Sequence, residues 1–385
     1  MKIVFLQQVS DAMGGAVMVN CSLARQFLVH EHEVTFLSIR KSGKKNTVPY
    51  PLNAELRLIN DRTIWDVPRL NVMKDHFLKG DFTCAMKQLK KRRNYDKELQ
   101  YDFEVCRKTM EELAPDFIIC SHYECLEGIP SDYLKVTINH YHTTFTQVLK
   151  SSSQVRFLNR YKDKIGRFLW LSNATSNEAK KAGYSNSSFI YNPISFLSDT
   201  VSDVANSRKV VFVGRFSEEK RVPLLVRLFD ETIKEYQIKG WELSIVGYGE
   251  LDNETMSVID SRTYINLYPP TSDVKSLYLK SALLCLTSSF EGLALVIIEA
   301  AECGVPSIAF EFSESIAEEI QNGVTGVVVA QDQFKEYKKQ LAELIIHEDK
   351  RVQMGQEAKV FATKFHQETI YEEWMNLFKE MRDVA

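Results

Sequence analysis

Short apolar runs rich in β-branched residues alternate with longer helical stretches along the whole chain. Most runs are apolar at every position, which is typical of parallel strands buried on both faces of a sheet. Strand and helix alternate in both halves, and this pattern predicts two doubly wound, Rossmann-like α/β domains. The runs are KIVFL (2–6), EVTFLSI (33–39), ELRLI (55–59), DFIIC (116–120), KVTIN (135–139), RFLWLS (167–172), SSFIY (187–191), KVVFVG (209–214), ELSIVG (242–247), YINLY (264–268), LLCLTS (283–288), PSIAF (306–310) and GVVVA (326–330).

The divide between the two domains falls in a polar stretch near the middle of the chain. Residues 191–207 read YNPISFLSDTVSDVANS, where Asn-Pro is followed by several Ser and Asp residues. We therefore predict an N-terminal domain at 1–193 and a C-terminal domain at 194–365. Two such domains are expected to face each other across a cleft, with ligands at the carboxyl ends of the strands.

The composition is that of an ordinary globular protein, and it excludes several classes of function. The 385 residues carry 48 Lys and Arg against 51 Asp and Glu, so the net charge of −3 provides no basic field for nucleic acid. No apolar run approaches the roughly 18 to 20 residues of a membrane-spanning helix, and the first run is too short for a signal peptide. The seven cysteines form no CxxC pair, which favours reduced thiols and a cytoplasmic protein.

One segment is locally basic despite the near-zero net charge. Residues 79–108 hold nine Lys or Arg against five Asp or Glu, within a region at 62–112 that we predict to be mostly helical. The basic face is either solvated helix surface or a docking surface for anionic lipid or a phosphate-bearing acceptor. The second interpretation predicts a protein that is peripheral at the inner face of the plasma membrane.

Phosphate-binding groups are expected after strands in both halves. In KVVFVGRFSEEKR, Arg215 directly follows a buried strand and Lys220 precedes a helix. Arg could neutralise a diphosphate bidentately and Lys as a point charge, although two solvated loop cations are the alternative. In the first half, Gly14 and Gly15 precede a helix whose N-terminus would attract phosphate close to the backbone, unless they form a simple turn.

The stretch TSSFEGLALVIIEAAECGVPSIAF (287–310) carries two carboxylates eight positions apart. Glu291 lies in the loop after a strand, and Glu299 lies in an otherwise apolar helix, where a buried Glu is costly without a partner. The sugar hydroxyls of a nucleotide would supply that partner. The loop Gly292-Leu293 also places backbone N–H groups at the start of the helix, where they suit an anion. Two structural carboxylates at a chance spacing are the alternative.

Three histidines follow strands of the first half, on the side where a ligand is expected. His122 follows DFIIC, and His140 and His142 follow KVTIN. A histidine there could hold a sugar hydroxyl or a leaving oxygen, since its near-neutral pKa allows either protonation state. Structural histidines are the alternative. A zinc site is disfavoured because His122 lies on a different strand from His140 and His142.

These motifs resemble those of the family-4, or group 1, retaining glycosyltransferases with the GT-B fold. The resemblance covers most of the chain, and its strongest element is the Glu-x7-Glu pattern. It implies two Rossmann-like domains that face each other across a cleft, and a C-terminal helix at 366–385 that crosses back to the N-terminal domain. In that helix Tyr371, Trp374, Leu377 and Phe378 form an apolar stripe at helical spacing, which would then have a surface to cover. The matching segments are KIVFL with its Gly-Gly turn and helix, PDFIICSHY (115–123), IYNPI (190–194), VGRFSEEKR (213–221) and FEGLALVIIEAAECGVPSIAF (290–310).

The resemblance implies a hexosyltransferase that needs neither a metal nor another cofactor. It would move sugar from a nucleotide-diphosphate sugar, with a UDP-sugar as the expected donor, to a hydroxyl of a glycan, a lipid-linked acceptor or a cell-surface polymer of the cell envelope. Anomeric configuration would be retained. The implied donor-binding residues are Gly14, Gly15, Arg215, Lys220, Gly292, Leu293, Ala294 and Glu299. The implied catalytic residues are Arg215, Lys220, Glu291 and His122, with His140 and His142 on the acceptor.

The sequence departs from the family pattern in three places, which bear on donor choice more than on reaction type. Val17 and Met18 replace an acid and a base, Ala294 stands where Gly or Pro is common, and FEFSESIAEEI (310–320) lacks a glycine. Other functions stay open. They are a catalytically weak GT-B partner or chaperone of another glycosyltransferase, a nucleotide-sugar epimerase and, least favoured, an NAD-dependent oxidoreductase.

Overall fold

The structure, a computed structural model, describes residues 1–11, 14–43, 48–63, 77–79 and 81–384. Part of the region predicted to be helical at 62–112 lies outside the described residues. The chain forms two compact units. The first comprises Met1–Trp170, Ala179–Ser188 and Tyr371–Ala385, and the second comprises Leu171–Glu178 and Phe189–Ile370. The predicted domain boundary at 193/194 lies shortly after Phe189.

A seven-stranded sheet forms the centre of the first unit, in the order β3-β2-β1-β4-β5-β6-β7. Neighbouring strands pair in parallel from β3 to β6. Residues Ile3 to Leu6 of the central strand are almost fully buried, because both faces of the sheet are covered. The strands are β1 (Lys2–Val9), β2 (Glu33–Arg40), β3 (Glu55–Leu58), β4 (Phe117–Cys120), β5 (Thr137–His140), β6 (Arg167–Trp170) and β7 (Ser187–Phe189).

Helices cover this sheet and connect its strands. The longest, α2, begins where the Asp81 carboxylate accepts a hydrogen bond from the Cys84 N–H at 3.1 Å, as an N-cap does. The second half of α2 buries Phe103, Cys106 and Met110 in the core, whereas its first half is mostly exposed. The helices are α1 (Gly15–Val29), α2 (Phe82–Leu113), α3 (Phe145–Leu149), α4 (Ser152–Tyr161) and α5 (Asn173–Lys181), the last of which begins in the second unit.

The last helix of the chain, numbered α12 in chain order (Gln367–Val384), packs on the first unit from Tyr371 onwards. Trp374 and Phe378 are only 1% exposed, and the Phe378 ring stacks on Phe117 with centroids 4.1 Å apart. Burial of one such aromatic side chain contributes about 1.5–3 kcal/mol. The apolar stripe predicted for this helix is therefore buried against the first unit.

The second unit is built on a six-stranded parallel sheet, in the order β10-β9-β8-β11-β12-β13. Its strands match the runs predicted from the second half of the sequence. They are β8 (Lys209–Arg215), β9 (Glu242–Tyr248), β10 (Ile265–Tyr268), β11 (Leu283–Leu286), β12 (Ser307–Phe310) and β13 (Gly326–Val329).

The helices of the second unit alternate with these strands. The carboxylate of Glu302, at the end of α9, is 1% exposed and lies 2.6 Å from Lys359 Nζ of α11 and 2.9 Å from His366 Nε2. These contacts hold the helices together beside the sheet. The helices are α6 (Val222–Glu235), α7 (Asn253–Asp260), α8 (Val274–Tyr278), α9 (Leu295–Glu302), α10 (Phe334–Ile346) and α11 (Glu348–Ala362). Among the helices in the described part of the chain, none has the length and apolar character needed to cross a membrane.

Candidate donor site

Most of the predicted donor-binding residues lie at one edge of the second sheet. Strands β8 and β11 are neighbours and run in parallel, so their carboxyl ends meet. The loop after β8, residues 216–221, is the cation loop, and the loop after β11, residues 287–294, is the acid loop. Both loops lead into helices. The position fits the rule that ligands of open α/β sheets bind beyond the carboxyl ends of the strands.

Hydrogen bonds tie the backbones of the two loops together. The Ser289 N–H donates to the Glu219 carbonyl at 2.8 Å. The buried Thr287 hydroxyl lies 3.0 Å from the Arg221 carbonyl and 3.2 Å from that of Lys220. Because its acceptors flank the start of a helix, Thr287 fixes the backbone that carries the Lys220 side chain.

Lys220 and Glu291 form an ion pair that joins the two loops. Lys220 Nζ donates to Glu291 Oε1, and the Ser288 hydroxyl donates to the same oxygen at 2.8 Å. The two side chains are 16% and 11% exposed, so the pair is mostly shielded but reachable from solvent. The sequence predicted both residues for the site, and the structure brings them into direct contact.

Arg221, which the sequence analysis did not select, braces the cation loop. Its backbone is left-handed, with φ of 52° and ψ of 42°, a conformation that costs energy for a residue with a Cβ. Its guanidinium donates to Gln331 Oε1 at 2.8 Å and to Asp332 Oδ1 at 2.6 Å. Gln331 in turn donates to the Ser288 carbonyl at 3.0 Å, so the brace reaches the acid loop.

Arg215 stands at the end of β8 with its guanidinium toward solvent. The side chain is 61% exposed, and its nearest acid, Glu219, lies 3.5 Å away. Such an exposed pair contributes little to stability, since solvent screens it. Arg215 therefore has its charge available for an anion.

Glu299 lies one turn into α9, and its carboxylate already has two partners. Ser195 Oγ donates to Oε1 at 2.6 Å, and the buried Tyr278 hydroxyl donates to Oε2 at 3.3 Å. Burial raises the pKa of Glu299, while these two hydrogen bonds act in the opposite direction. A carboxylate offers about four lone-pair sites, so two hydroxyl donors leave capacity for others.

The turn Gly292–Ala294 precedes α9, and one of its amides is occupied. The Ala294 N–H donates to Glu319 Oε2 at 2.8 Å, and the Leu295 N–H donates to the Leu293 carbonyl at 3.1 Å. Hydrogen bonds among the described residues leave the amides of Gly292 and Leu293 free. The anion-binding capacity expected of this turn is thus concentrated in two of its residues.

The three predicted histidines lie at the carboxyl edge of the first sheet. His140 is 2% exposed and packs edge-on against Trp374, with its ring centroid 4.2 Å from that of His142. Within the described residues, His122 Nδ1, His142 Nε2 and both ring nitrogens of His140 have no hydrogen-bond partner. Burial lowers the pKa of all three, to about 4 for His142, so these rings are neutral at physiological pH.

The turn Gly14-Gly15 begins α1 in the first unit. Both residues are exposed, and a Cβ added to either would meet no atom of the described residues within 4 Å. Neither glycine adopts a positive φ. Packing and backbone conformation therefore place no demand for glycine here. Among the described residues, no three side chains of His, Cys, Asp or Glu are arranged to hold a metal ion.

Sequence reasoning missed the residues that support the predicted ones. Arg221 was visible as the second cation of EEKR, and Thr287 as the first polar residue after a strand, but neither position reveals its partner. Ser195 and Tyr278 are distant from Glu299 in the sequence. Glu319 lay in the departure at 310–320, which carried no signal beyond the missing glycine.

Known proteins resemble this chain in the region that carries the site. Residues 200–361 match the family model described as glycosyl transferases group 1. An uncharacterised glycosyltransferase of Haemophilus influenzae is 26% identical over 97% of this chain and 98% of its own length. The chain is thus similar in sequence to group 1 glycosyltransferases. The match covers the second unit's site, including the predicted cations and carboxylates from Arg215 to Glu299.

A second relative and a solved structure extend the comparison. A Campylobacter jejuni N-acetyl-D-galactosaminyltransferase, named for a diNAcBac-PP-undecaprenol-linked acceptor, is 27% identical over 50% of this chain and 55% of its own length. The crystal structure of Anabaena HepE in complex with UDP-glucose superposes with a TM-score of 0.72 at 17% identity, covering 100% of both chains. The predicted GT-B fold is confirmed by this structural likeness. Family 4 and retention of configuration stay predictions.

Proposed function

We propose that the protein is a retaining glycosyltransferase that moves a hexosyl group from a nucleotide-diphosphate sugar to an acceptor hydroxyl. The observation that carries this proposal is the Lys220–Glu291 pair at the junction of the cation and acid loops, with Arg215 exposed beside it. Two cations and two free amides at one sheet edge suit a diphosphate. Glu299 retains lone pairs for ribose hydroxyls, and the match to the group 1 family model spans all of these groups.

The proposed donor is a UDP-sugar, and the proposed chemistry uses no metal. Arg215, Lys220 and the amides of Gly292 and Leu293 would oppose the charge that develops on the leaving diphosphate, which is the task of a metal in other enzymes. The UDP-glucose bound to HepE supports the choice of nucleotide. Gly14, Gly15 and His122 in the first unit are proposed as further donor contacts, and His140 and His142 as acceptor contacts.

Retention of configuration is proposed to occur by front-face attack. Double displacement needs a free carboxylate nucleophile on the opposite face of the sugar. Glu291 Oε1 already accepts hydrogen bonds from Lys220 and Ser288, which lower its nucleophilicity. In the proposed route Glu291 positions the donor sugar, and the leaving phosphate takes the proton of the acceptor hydroxyl as the new glycosidic bond forms.

A panel of UDP-, GDP- and ADP-sugars tests the proposal. We expect one UDP-sugar to raise the thermal midpoint and to release nucleotide in the presence of a chelator, and the product to keep the donor's anomeric configuration by NMR. Donor consumption without an acceptor, with a new sugar isomer formed, would indicate an epimerase. Absence of both binding and turnover for every donor would favour the partner or chaperone function.

The proposed acceptor is a glycan, a lipid-linked sugar or a cell-surface polymer, reached at an anionic membrane. The N-terminal half of α2 supports this part of the proposal. Phe82, Met86 and Leu89 follow one another at helical spacing and are each at least half exposed, as are Phe77 and Leu78 just before the helix. Exposed cations surround them, including Lys90 and Lys91. Apolar side chains among cations suit the surface of an anionic bilayer.

Vesicle sedimentation tests the membrane surface. We expect the protein to sediment with vesicles that contain phosphatidylglycerol and much less with phosphatidylcholine alone. Replacing the four cations at 90–93 with Gln should abolish the preference, and Phe82→Ser with Met86→Ser should reduce binding to both. Sedimentation that ignores lipid charge and survives the Gln substitutions would rule the surface out.

A further inference from the structure

Glu319 is a buried carboxyl group beside the proposed donor site, and no function has yet been assigned to it. It follows a short 3-10 turn at Glu314–Glu318 and is only 2% exposed. Oε2 accepts the Ala294 N–H at 2.8 Å, and Oε1 has no partner among the residues that the structure describes. A buried carboxylate with one hydrogen bond is costly, because charged groups lose hydration on burial.

The neighbouring carboxylate, Glu318, has hydrogen-bond partners for both of its oxygens. Glu318 accepts the amides of Asn173 and Ala174, each at 2.8 Å, and the hydroxyl of Tyr191 at 2.7 Å. It caps the start of α5 with both oxygens engaged. Glu319 instead caps the start of α9, where Oε2 accepts a hydrogen bond and Oε1 has no partner among the described residues.

The charges around Glu319 oppose its ionisation. Glu291 and Glu318 are negative neighbours, and Lys220, a positive neighbour, is already paired with Glu291. Glu302, at the other end of α9, is also buried, but its pKa shifts in the opposite direction. Burial raises the pKa of Glu302, but Lys359, Ser198 and His366 outweigh that effect and lower it overall. Among the residues that the structure describes, no cation pairs with Glu319, and burial raises its pKa well above the ordinary 4.5.

We propose that Glu319 is a positioning residue of the donor site: its carboxyl group, uncharged, holds the backbone of Gly292–Ala294 in the form that receives the diphosphate. This rests on the proposed function of the site. The hydrogen bond to Ala294 fixes the last residue of the turn, so the free amides of Gly292 and Leu293 keep a common orientation. A charged Glu319 would instead add a negative group behind an anion site and weaken binding there.

Titration of Glu319 has a predictable sign. Its pKa is raised in the folded protein, so its contribution to stability is complete below the unfolded value of 4.5 and is lost as pH rises through the folded value. The affinity for the donor should likewise fall as pH rises, because Glu319 becomes charged. Glu291, Glu318 and Lys220 are the charged groups that face Glu319, and each needs to be intact in the test proteins.

Three variants of the full chain separate charge from hydrogen bonding. Glu319→Gln keeps an acceptor for Ala294 and cannot ionise, and Glu319→Ala removes the acceptor. Glu314→Gln, which neutralises an exposed acid of the preceding 3-10 turn, is the control. Donor KM and kcat are measured from pH 6 to pH 9. Amide hydrogen exchange at 292–294 and the thermal midpoint are followed without donor.

We expect Glu319→Gln to keep the wild-type KM at pH 6 and to lose its rise at higher pH. Glu319→Ala should raise KM about tenfold over wild type at pH 6, with kcat changed less than about threefold, and should speed exchange at Ala294. Since alanine cannot ionise, this variant should also lose the rise of KM at higher pH. Without donor, Glu319→Gln should gain thermal stability over wild type more at pH 8 than at pH 5. Glu314→Gln should leave the pH dependence of KM unchanged.

Two results would overturn the proposal. One is a Glu319→Gln protein that matches Glu319→Ala in KM and in exchange, which would show that a charged carboxylate is needed. The other is a Glu319→Ala protein with wild-type exchange at Ala294. The exchange and stability measurements need no donor, so they decide the role of Glu319 even if no nucleotide sugar reacts and the proposed function fails.

Discussion

The carboxyl edges of the two sheets carry polar residues in very different conditions. In the second unit, Lys220, Glu291 and Glu299 each have a hydrogen-bonded partner, and the loops that bear them are joined by further hydrogen bonds. In the first unit, the described neighbours of His140 leave both of its ring nitrogens without a partner. The polar side chains at the edge of the second sheet are thus hydrogen-bonded to one another without a ligand. At the edge of the first sheet, neutral histidine rings have nitrogens that lack hydrogen-bond partners among the described residues.

This difference suggests a division of work between the two edges. Charged groups that act on a diphosphate have to be fixed in advance, since reorganisation at the moment of reaction costs rate. Neutral rings with unused nitrogens suit uncharged hydroxyl groups, which gain from each new hydrogen bond. We therefore expect substitutions in the second unit to change catalysis strongly and those in the first unit to change stability and acceptor use.

The largest effect is expected from Lys220→Ala. The substitution removes a cation that would stabilise the leaving diphosphate and leaves Glu291 without its ion-pair partner. Loss of one such electrostatic group typically costs about 10²- to 10³-fold in turnover, so kcat/KM for the donor should fall by at least about 100-fold. Steady-state nucleotide release measures it.

Lys338→Ala is the matched control for this substitution. Lys338 is 15% exposed and pairs with Glu231 and Glu235, also in the second unit. Its replacement should leave kcat/KM within about threefold of wild type. Near-normal turnover of Lys220→Ala with saturating donor would mean that the cation loop does not act on the diphosphate.

An intermediate effect is expected from Arg221→Ala. The variant loses the hydrogen bonds to Gln331 and Asp332 but retains the left-handed backbone, so the cation loop should become less ordered. Donor KM should rise about tenfold, equivalent to about 1.4 kcal/mol, while kcat changes less. Arg227→Ala, which removes an exposed cation from α6, the helix that follows the cation loop, should leave KM unchanged. Equal KM values for the two variants would show that the brace has no part in donor binding.

The smallest effect is expected in the first unit, from His142→Gln. The pKa of His142 is lowered from 6.5 to about 4 by burial, so the unfolded chain binds more protons than the folded one between these values. Stability should therefore fall as pH drops through this window, and the variant should escape part of the loss. Thermal scans at pH 7 and pH 4.5 should show a loss about 2–4 °C smaller in the variant. An identical loss would mean that His142 titrates as an exposed histidine does.

The fold could be predicted from the sequence because its signals are local. Continuous apolar runs marked the strands, and the stripe of Trp374 and Phe378 marked a helix that had to pack on the protein. Local motifs also placed Lys220 and Glu291 in loops after strands, but their direct contact was not predicted.

The supporting residues could not be predicted because their roles depend on distant parts of the chain. Ser195 and Tyr278 reach Glu299 from separate segments, and the burial of Glu319 depends on how the 3-10 turn before it packs. Nor does a sequence show that Arg221 takes a left-handed conformation, since that conformation is rare for a residue with a side chain.

Calorimetric titration with UDP in the presence of EDTA tests most directly whether the edge of the second sheet binds a nucleotide diphosphate. We expect the wild-type protein to bind one UDP per chain, with an affinity that falls as the salt concentration is raised. Lys220→Ala should bind UDP at least tenfold more weakly. UDP that binds equally well to both proteins, or no binding of UDP, GDP or ADP to the wild type, would contradict it.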